Sequence, residues 1–117
     1  MKTISHKEFE DARSVVYETL LPTLQHTWPL LCEQAGCEVW LKHENHTPTG
    51  AFKVRGGLVY MRRRTSNGER GGVITASTGN HGQSIPFAAG REGVTATVVV
   101  PTNNALDKNA AMRALGA

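Results

Sequence analysis

Residues 73–101 read VITASTGNHGQSIPFAAGREGVTATVVVP, and this stretch decides the fold. Val73–Ala76 is a short apolar strand of the type buried on both faces. STGNHG, residues 77–82, is a glycine-bearing turn. Gln83–Glu92 continues as a helix, with Pro86 within or near its first turns, where a missing N–H is tolerated. Gly93 closes that helix, and Thr95–Pro101 is another strand. Strand, tight turn, helix and strand in succession make a βαβ unit, whose strands lie parallel and whose crossover is right-handed.

Working outward, the alternation continues on both sides. Upstream, Glu38–Lys42 (EVWLK) reads as a strand, HENHTPTG as a loop broken by Pro48 and Gly50, and Phe52–Arg64 as a helix followed by the turn-rich TSNGERGG. Downstream, TNNAL is a loop and Leu106–Leu115 a helix that Gly116 caps. At the N-terminus Phe9, Ala12, Val15, Val16 and Leu20 recur at helical spacing, so Ser5–Leu21 is an amphipathic helix stopped by Pro22. Between them PTLQHTWPLLCEQAG gives an extended segment leading into a brief helix that ends at Gly36. The expectation is an α/β fold: an open parallel sheet of about three strands with flanking helices, preceded by an N-terminal helix. Residues 1–37 form that helix and a leading segment; residues 38–117 form a partial α/β domain. The final helix would cover a strand that does not follow it, so the chain is expected to be a piece of a longer protein.

Composition narrows the class. The chain has 117 residues, 39% hydrophobic and 20% charged, enough for one domain with a real core. No apolar run approaches a membrane span, and the leading MKTISHKEFEDARS lacks an apolar signal-peptide core. These features argue for a soluble, cytoplasmic protein without a membrane partner. The net charge of +3 is scattered except for Arg62, Arg63 and Arg64. A triplet late in a helix is expected to be a solvated face near the negative end of the dipole, which argues against a nucleic-acid partner. Cys32 and Cys37 have the spacing C-x4-C with no second pair to complete a metal site, so they are read as free thiols and no metal is expected.

In open α/β sheets ligands bind beyond the carboxyl ends of the strands. Two loops fall there. The first, HENHTPTGAFKVRGG at residues 43–57, puts Lys53 near the start of its helix, where a desolvated amine beside cations such as Arg55 can have its pKa lowered and can form an imine with a carbonyl. By itself it reads as a surface lysine. The second places Ser77, Thr78, Gly79, Asn80 and His81 at a helix N-terminus, where free N–H groups can receive a carboxylate or phosphate. The alternative is that Ser77 or Thr78 merely caps the helix and the glycines make the turn.

Together the two motifs, KHENHTPTGAFKVRG and ASTGNHGQ, resemble those of the fold-type II pyridoxal-phosphate enzymes, most closely the threonine/serine dehydratases. The resemblance runs from about Pro22 to the C-terminus and includes VVVP and AMRALGA. It implies that Lys53 holds pyridoxal 5′-phosphate covalently and acts as the catalytic base. Phe52 and Asn80 would contact the cofactor, Asn80 through its 3′-oxygen. Ser77, Thr78, Gly79 and His81 would receive the carboxylate of an amino-acid substrate. The implied reaction is an ammonia-lyase reaction that turns a β-hydroxy amino acid into a 2-oxo acid and ammonia, in a full-length homo-oligomer. Other fold-type II activities (threonine synthase, cysteine-forming synthase, racemase, hydroxyaspartate dehydratase) or a non-catalytic truncated chain are the alternatives. Racemases of this fold tend to carry a serine at the position of Thr78, and the threonine favours elimination. The family's glycine-rich phosphate loop comes later in its sequence and no G-G-G-G run occurs here. The isolated chain is therefore expected to bind the cofactor poorly or not at all.

Overall fold

The computed structural model describes residues 3–117; the first two residues of the leading segment lie outside them. Helix α1 spans His6–Tyr17 and opens on a capping box. The Ser5 hydroxyl accepts from the Glu8 N–H at 3.2 Å while the Glu8 carboxylate accepts from the Ser5 N–H at 2.9 Å. The helix ends four residues before the expected Leu21, but Leu20 remains buried because its N–H still bonds back to the Val16 carbonyl at 2.9 Å.

Strand β1 (Gln25–Thr27) and strand β2 (Trp40–Lys42) flank α2 (Pro29–Ala35), which starts on a proline and ends at Gly36 with φ +67°. These two strands pair antiparallel, with His26 opposite Leu41. The expected three-strand parallel sheet is thereby corrected. Its first strand turns back on the extended segment just before it, joined through the short α2, and the parallel sheet holds two strands, β3 (Val73–Ala76) and β4 (Ala96–Val99). The α/β class stands.

Helix α3 covers Lys53–Ser66 and α4 covers Asn80–Arg91. The latter begins three residues earlier than its sequence suggests, directly on the turn. Pro86 is consequently the seventh residue of α4, inside the helix, where its missing N–H deprives the Gly82 carbonyl of its usual partner. Helix α5 spans Leu106–Ala114. It closes on α4 where Met112 lies over Gly82; a Cβ there would sit 2.7 Å from the Met112 Cε.

The core lies between α1, α3, α4 and one face of the β3–β4 pair. Val16, Val54, Leu58, Met61, Val73, Ile85, Ala88, Ala89 and Ala96 form it. β3 is not covered on both faces as expected, and β4 shares its open face. Val73 and Ala96 point inward, whereas Ile74 is 73% exposed and Val99 50% exposed on the opposite face. The reason is topological: the right-handed crossover puts α4 on one side of the pair only.

The arginine triplet is also more than a solvated face. Arg62 reaches Glu18, after α1, and Glu92, after α4, both at 2.8 Å, and the Thr65 hydroxyl donates to Glu92 at 2.7 Å. The ends of three helices are tied together there. Arg64 pairs with Glu69 at 3.0 Å.

Candidate functional site

The segment leading to Lys53 is built to hold a fixed backbone. The buried Thr47 hydroxyl donates to the Ala51 carbonyl at 2.9 Å and accepts from the Ala51 N–H at 3.0 Å. Buried Thr49 adds a longer bond of 3.4 Å to the same carbonyl. Gly50 carries the chain through this turn at φ +64°, a conformation costly for other residues. Two threonines and a glycine thus set the angle at which α3 leaves the loop. Each takes up backbone groups that burial would otherwise leave unsatisfied.

Lys53 is the first residue of α3 and is exposed. Its Nζ lies 5.3 Å from the centroid of the Phe52 ring. Arg55 turns away from it. The guanidinium grips Glu44 in a bidentate pair, Nε to Oε2 at 2.7 Å and Nη2 to Oε1 at 2.9 Å, and the Thr23 hydroxyl donates to the same carboxylate at 2.7 Å. These contacts hold the Glu44 carboxyl below its usual range, the Arg55 hydrogen bonds being the largest cause and burial opposing them. The expectation of a desolvated lysine amine with Arg55 as its neighbouring cation is corrected: Lys53 is open to solvent and the Arg55 charge is matched by Glu44.

The second motif follows β3. The Ser77 hydroxyl accepts from the Gly79 N–H at 3.3 Å, tightening the turn, and the Ser77 N–H bonds across to the Val99 carbonyl at 3.2 Å. No side-chain cap bond is made to the start of α4, with Gly79 as the residue before it. The capping alternative for Ser77 and Thr78 is therefore not what this turn adopts. The first N–H groups of α4 point out beside the exposed side chains of Thr78, Asn80 and His81. An uncapped helix start of this kind suits an anion.

The two motifs meet. Lys53 and His81 line one cleft of about 390 Å³, whose other walls are Gly56, Gly57 and Tyr60 of α3, Val73–Thr75 of β3 and Ile85 of α4. Ser77, Thr78, Gly79 and Asn80 are not among its lining residues; they form the turn from which His81 enters it. Sequence reasoning missed Ser84, Gly57 and Tyr60. The Ser84 hydroxyl, fully buried on α4, donates to the Lys53 carbonyl at 2.9 Å. Its signal in the sequence was a polar residue one helical turn after Asn80, on the same face. A primary amine opening on a cleft, with a carboxamide and an uncapped helix start beside it, is a donor set that fits the aldehyde and phenolic-oxygen end of pyridoxal phosphate. Elsewhere, His43 stacks on His46 at a centroid distance of 5.4 Å and His26 lies tilted against His43 at 5.6 Å, but no group of three or more His, Cys, Asp or Glu among the described residues is placed to hold a metal ion. No helix among the described residues is long and apolar enough to cross a membrane.

Residues 17–117 match the family model described as pyridoxal-phosphate dependent enzyme. The chain is 37% identical over 105 residues to an L-threonine ammonia-lyase of Thermotoga maritima, covering 90% of this chain and 25% of that protein. It is 36% identical to a serine racemase of Rattus norvegicus, covering 97% of this chain and 35% of the other. A crystal structure of a pyridoxal 5′-phosphate-dependent aspartate racemase superposes with a TM-score of 0.88 at 32% identity, over 100% of this chain and 37% of that one. The chain thus spans only a quarter to about a third of the length of these relatives. With the family model matched over most of its residues and the lysine and glycine-turn motifs meeting at one cleft, the chain belongs to the pyridoxal-phosphate dependent enzyme family.

Proposed function

We propose that this chain is the lysine-bearing part of a pyridoxal-phosphate dependent ammonia-lyase that acts on a β-hydroxy amino acid such as threonine or serine. The observation that carries the reading is the shared cleft of Lys53 and His81, two residues from separate motifs. The similarity to L-threonine ammonia-lyase supports the reaction class. Residues 38–117 would be the part of the domain that supplies the cofactor lysine, and residues 1–37 the segment that leads into it.

In this reading Lys53 would hold the cofactor, and Asn80 and Phe52 would contact it. When bound, pyridoxal phosphate supplies an electron sink for the pair left behind as an α C–H bond breaks. Lys53 Nζ would be the base that accepts the α-proton. The Ser77–His81 turn binds the substrate carboxylate with hydroxyl and backbone N–H groups. Fixing the carboxylate orients the α C–H bond toward the lysine, and the loss of rotational freedom is met by binding. Loss of the α-proton and the β-hydroxyl together would remove one water to leave an enamine, and addition of one water to its imine tautomer would give the 2-oxo acid and ammonia.

Racemisation is the second reading, favoured by the similarity to the serine and aspartate racemases. Thr78, where such racemases tend to have serine, supports elimination. One experiment separates the readings: with this chain inside a full family domain, both the 2-oxo acid and the D-enantiomer are measured from L-threonine and L-serine. Elimination predicts 2-oxo acid as the main product and its disappearance in Lys53→Ala. Predominant D-enantiomer would select racemisation, and unchanged turnover in Lys53→Ala would reject the role of the lysine.

A further inference from the structure

We infer that Ser84 is a positioning residue for Lys53, acting with Gly57 as a clamp that sets α3 against α4 where the two motifs meet. The inference rests on the reading of Lys53 as the cofactor lysine and adds a residue to it. A lysine amine sits at the end of a flexible four-carbon stem, so what the fold can fix is the backbone from which it springs. Ser84 bonds that backbone directly. Its hydroxyl donates at 2.9 Å to the carbonyl of Lys53 itself, a partner 31 residues away, and the side chain is fully buried. A helix carbonyl has two lone pairs, so this bond adds to the one the carbonyl makes within α3.

Gly57 makes the contact possible. It lies one turn along α3 from Lys53, on the same face. A Cβ at this position would lie 2.9 Å from the Ser84 carbonyl oxygen and press on the Ser84 hydroxyl. Any side chain there would drive the helices apart and pull the hydroxyl away from its acceptor. Gly56, its neighbour, meets nothing within 4 Å. On α4, Ser84 stands one turn below Asn80 and His81. The clamp therefore joins the residue that offers the amine to the helix whose start offers the anion site, and it keeps Lys53 and His81 on one cleft. Ser84 is fully buried and does not line the cleft.

The test uses this chain within a full family domain in three forms: wild type, Ser84→Ala, and Ala89→Gly. The last weakens α4 at a buried position outside the cleft. The first readout is amide hydrogen exchange in the first turns of α3, and the second is reductive trapping of lysines with pyridoxal phosphate and borohydride, mapped by peptide mass spectrometry as the ratio of Lys53 to Lys108. Ser84→Ala should speed exchange at the start of α3 by about five-fold, the factor that one net hydrogen bond represents. It should also lower the Lys53/Lys108 ratio by a similar factor, while Ala89→Gly leaves that ratio unchanged. Unchanged exchange in a folded Ser84→Ala chain overturns the clamp, and so does a ratio that falls equally in Ala89→Gly. If wild-type Lys53 is trapped no faster than Lys108, the cofactor-lysine reading fails, and the clamp is then decided by hydrogen exchange alone.

Discussion

Gly56 and Gly57 are adjacent in α3, and the same substitution at each should change stability in opposite directions. Replacing a helix-interior glycine by alanine gains about 0.8–1.0 kcal/mol from propensity. At Gly56 a new Cβ meets no atom within 4 Å, so Gly56→Ala should keep that gain. For a chain of this size the melting temperature should rise by about 4 °C. At Gly57 the new Cβ stands 2.9 Å from the Ser84 carbonyl oxygen and 3.3 Å from its carbonyl carbon. These are backbone atoms of a packed helix, so no rotamer change relieves them, and overpacking of this kind costs about 1–3 kcal/mol. Displacing the Ser84 hydroxyl removes a further bond of about 1 kcal/mol. Taking the overpacking near 2 kcal/mol, adding the lost bond and subtracting the propensity gain leaves Gly57→Ala destabilised by about 2 kcal/mol, a fall of about 8 °C. Thermal melts followed by far-ultraviolet circular dichroism, with urea titrations to give the free energies, read both. Stabilisation of Gly57→Ala to the same degree as Gly56→Ala would refute the close approach of α3 and α4.

Further predictions concern the supports of the site. Glu44 and Glu92 are held below the ordinary glutamate range, chiefly by hydrogen bonds from Arg55 and Arg62, and next among the stabilising contacts by those from Thr23 and Thr65. A carboxyl depressed in the fold contributes stability above its unfolded value, about 4.3, and loses it as pH falls through the lower folded value. Melting temperature should therefore drop below about pH 4.3, and Glu44→Gln and Glu92→Gln should each flatten that acid limb; an unaltered limb in both would count against the pairs. Thr47→Val should destabilise by about 2–3 kcal/mol, because the Ala51 N–H and carbonyl each lose a partner in a buried turn. Limited proteolysis should then cut within residues 43–52 faster than in wild type, and an unchanged cleavage rate would show that the threonine does not hold the loop.

Much of this structure is legible in the sequence because local signals and tertiary placement agree there. Val73–Ala76, the glycine turn and Ala96–Val99 formed the parallel unit read from residues 73–101. Gly36 ended its helix for the reason that positive φ demands. The antiparallel partner of Trp40–Lys42 was not legible, since Gln25–Thr27 is a three-residue, wholly exposed segment with no alternation to mark it as a strand. The uncovered face of β3 and β4 was hidden for a different reason: an apolar strand reads the same whether one face or two are packed. At the site, both motifs could be picked out from the sequence, but setting Lys53 at the parallel sheet's edge rested on a third strand that instead pairs with β1. The Ser84 bond to Lys53 and the close fit at Gly57 could not be picked out, because they join helices across 31 residues of chain through packing that leaves no local pattern.

The account turns on Lys53 as the residue that holds the cofactor. The most direct measurement is borohydride reduction of a protein carrying this chain within a full family domain, saturated with pyridoxal phosphate, followed by peptide mass spectrometry. A phosphopyridoxyl group on Lys53 is the predicted result. The same group on Lys42 or Lys108, with Lys53 unmodified, would contradict it.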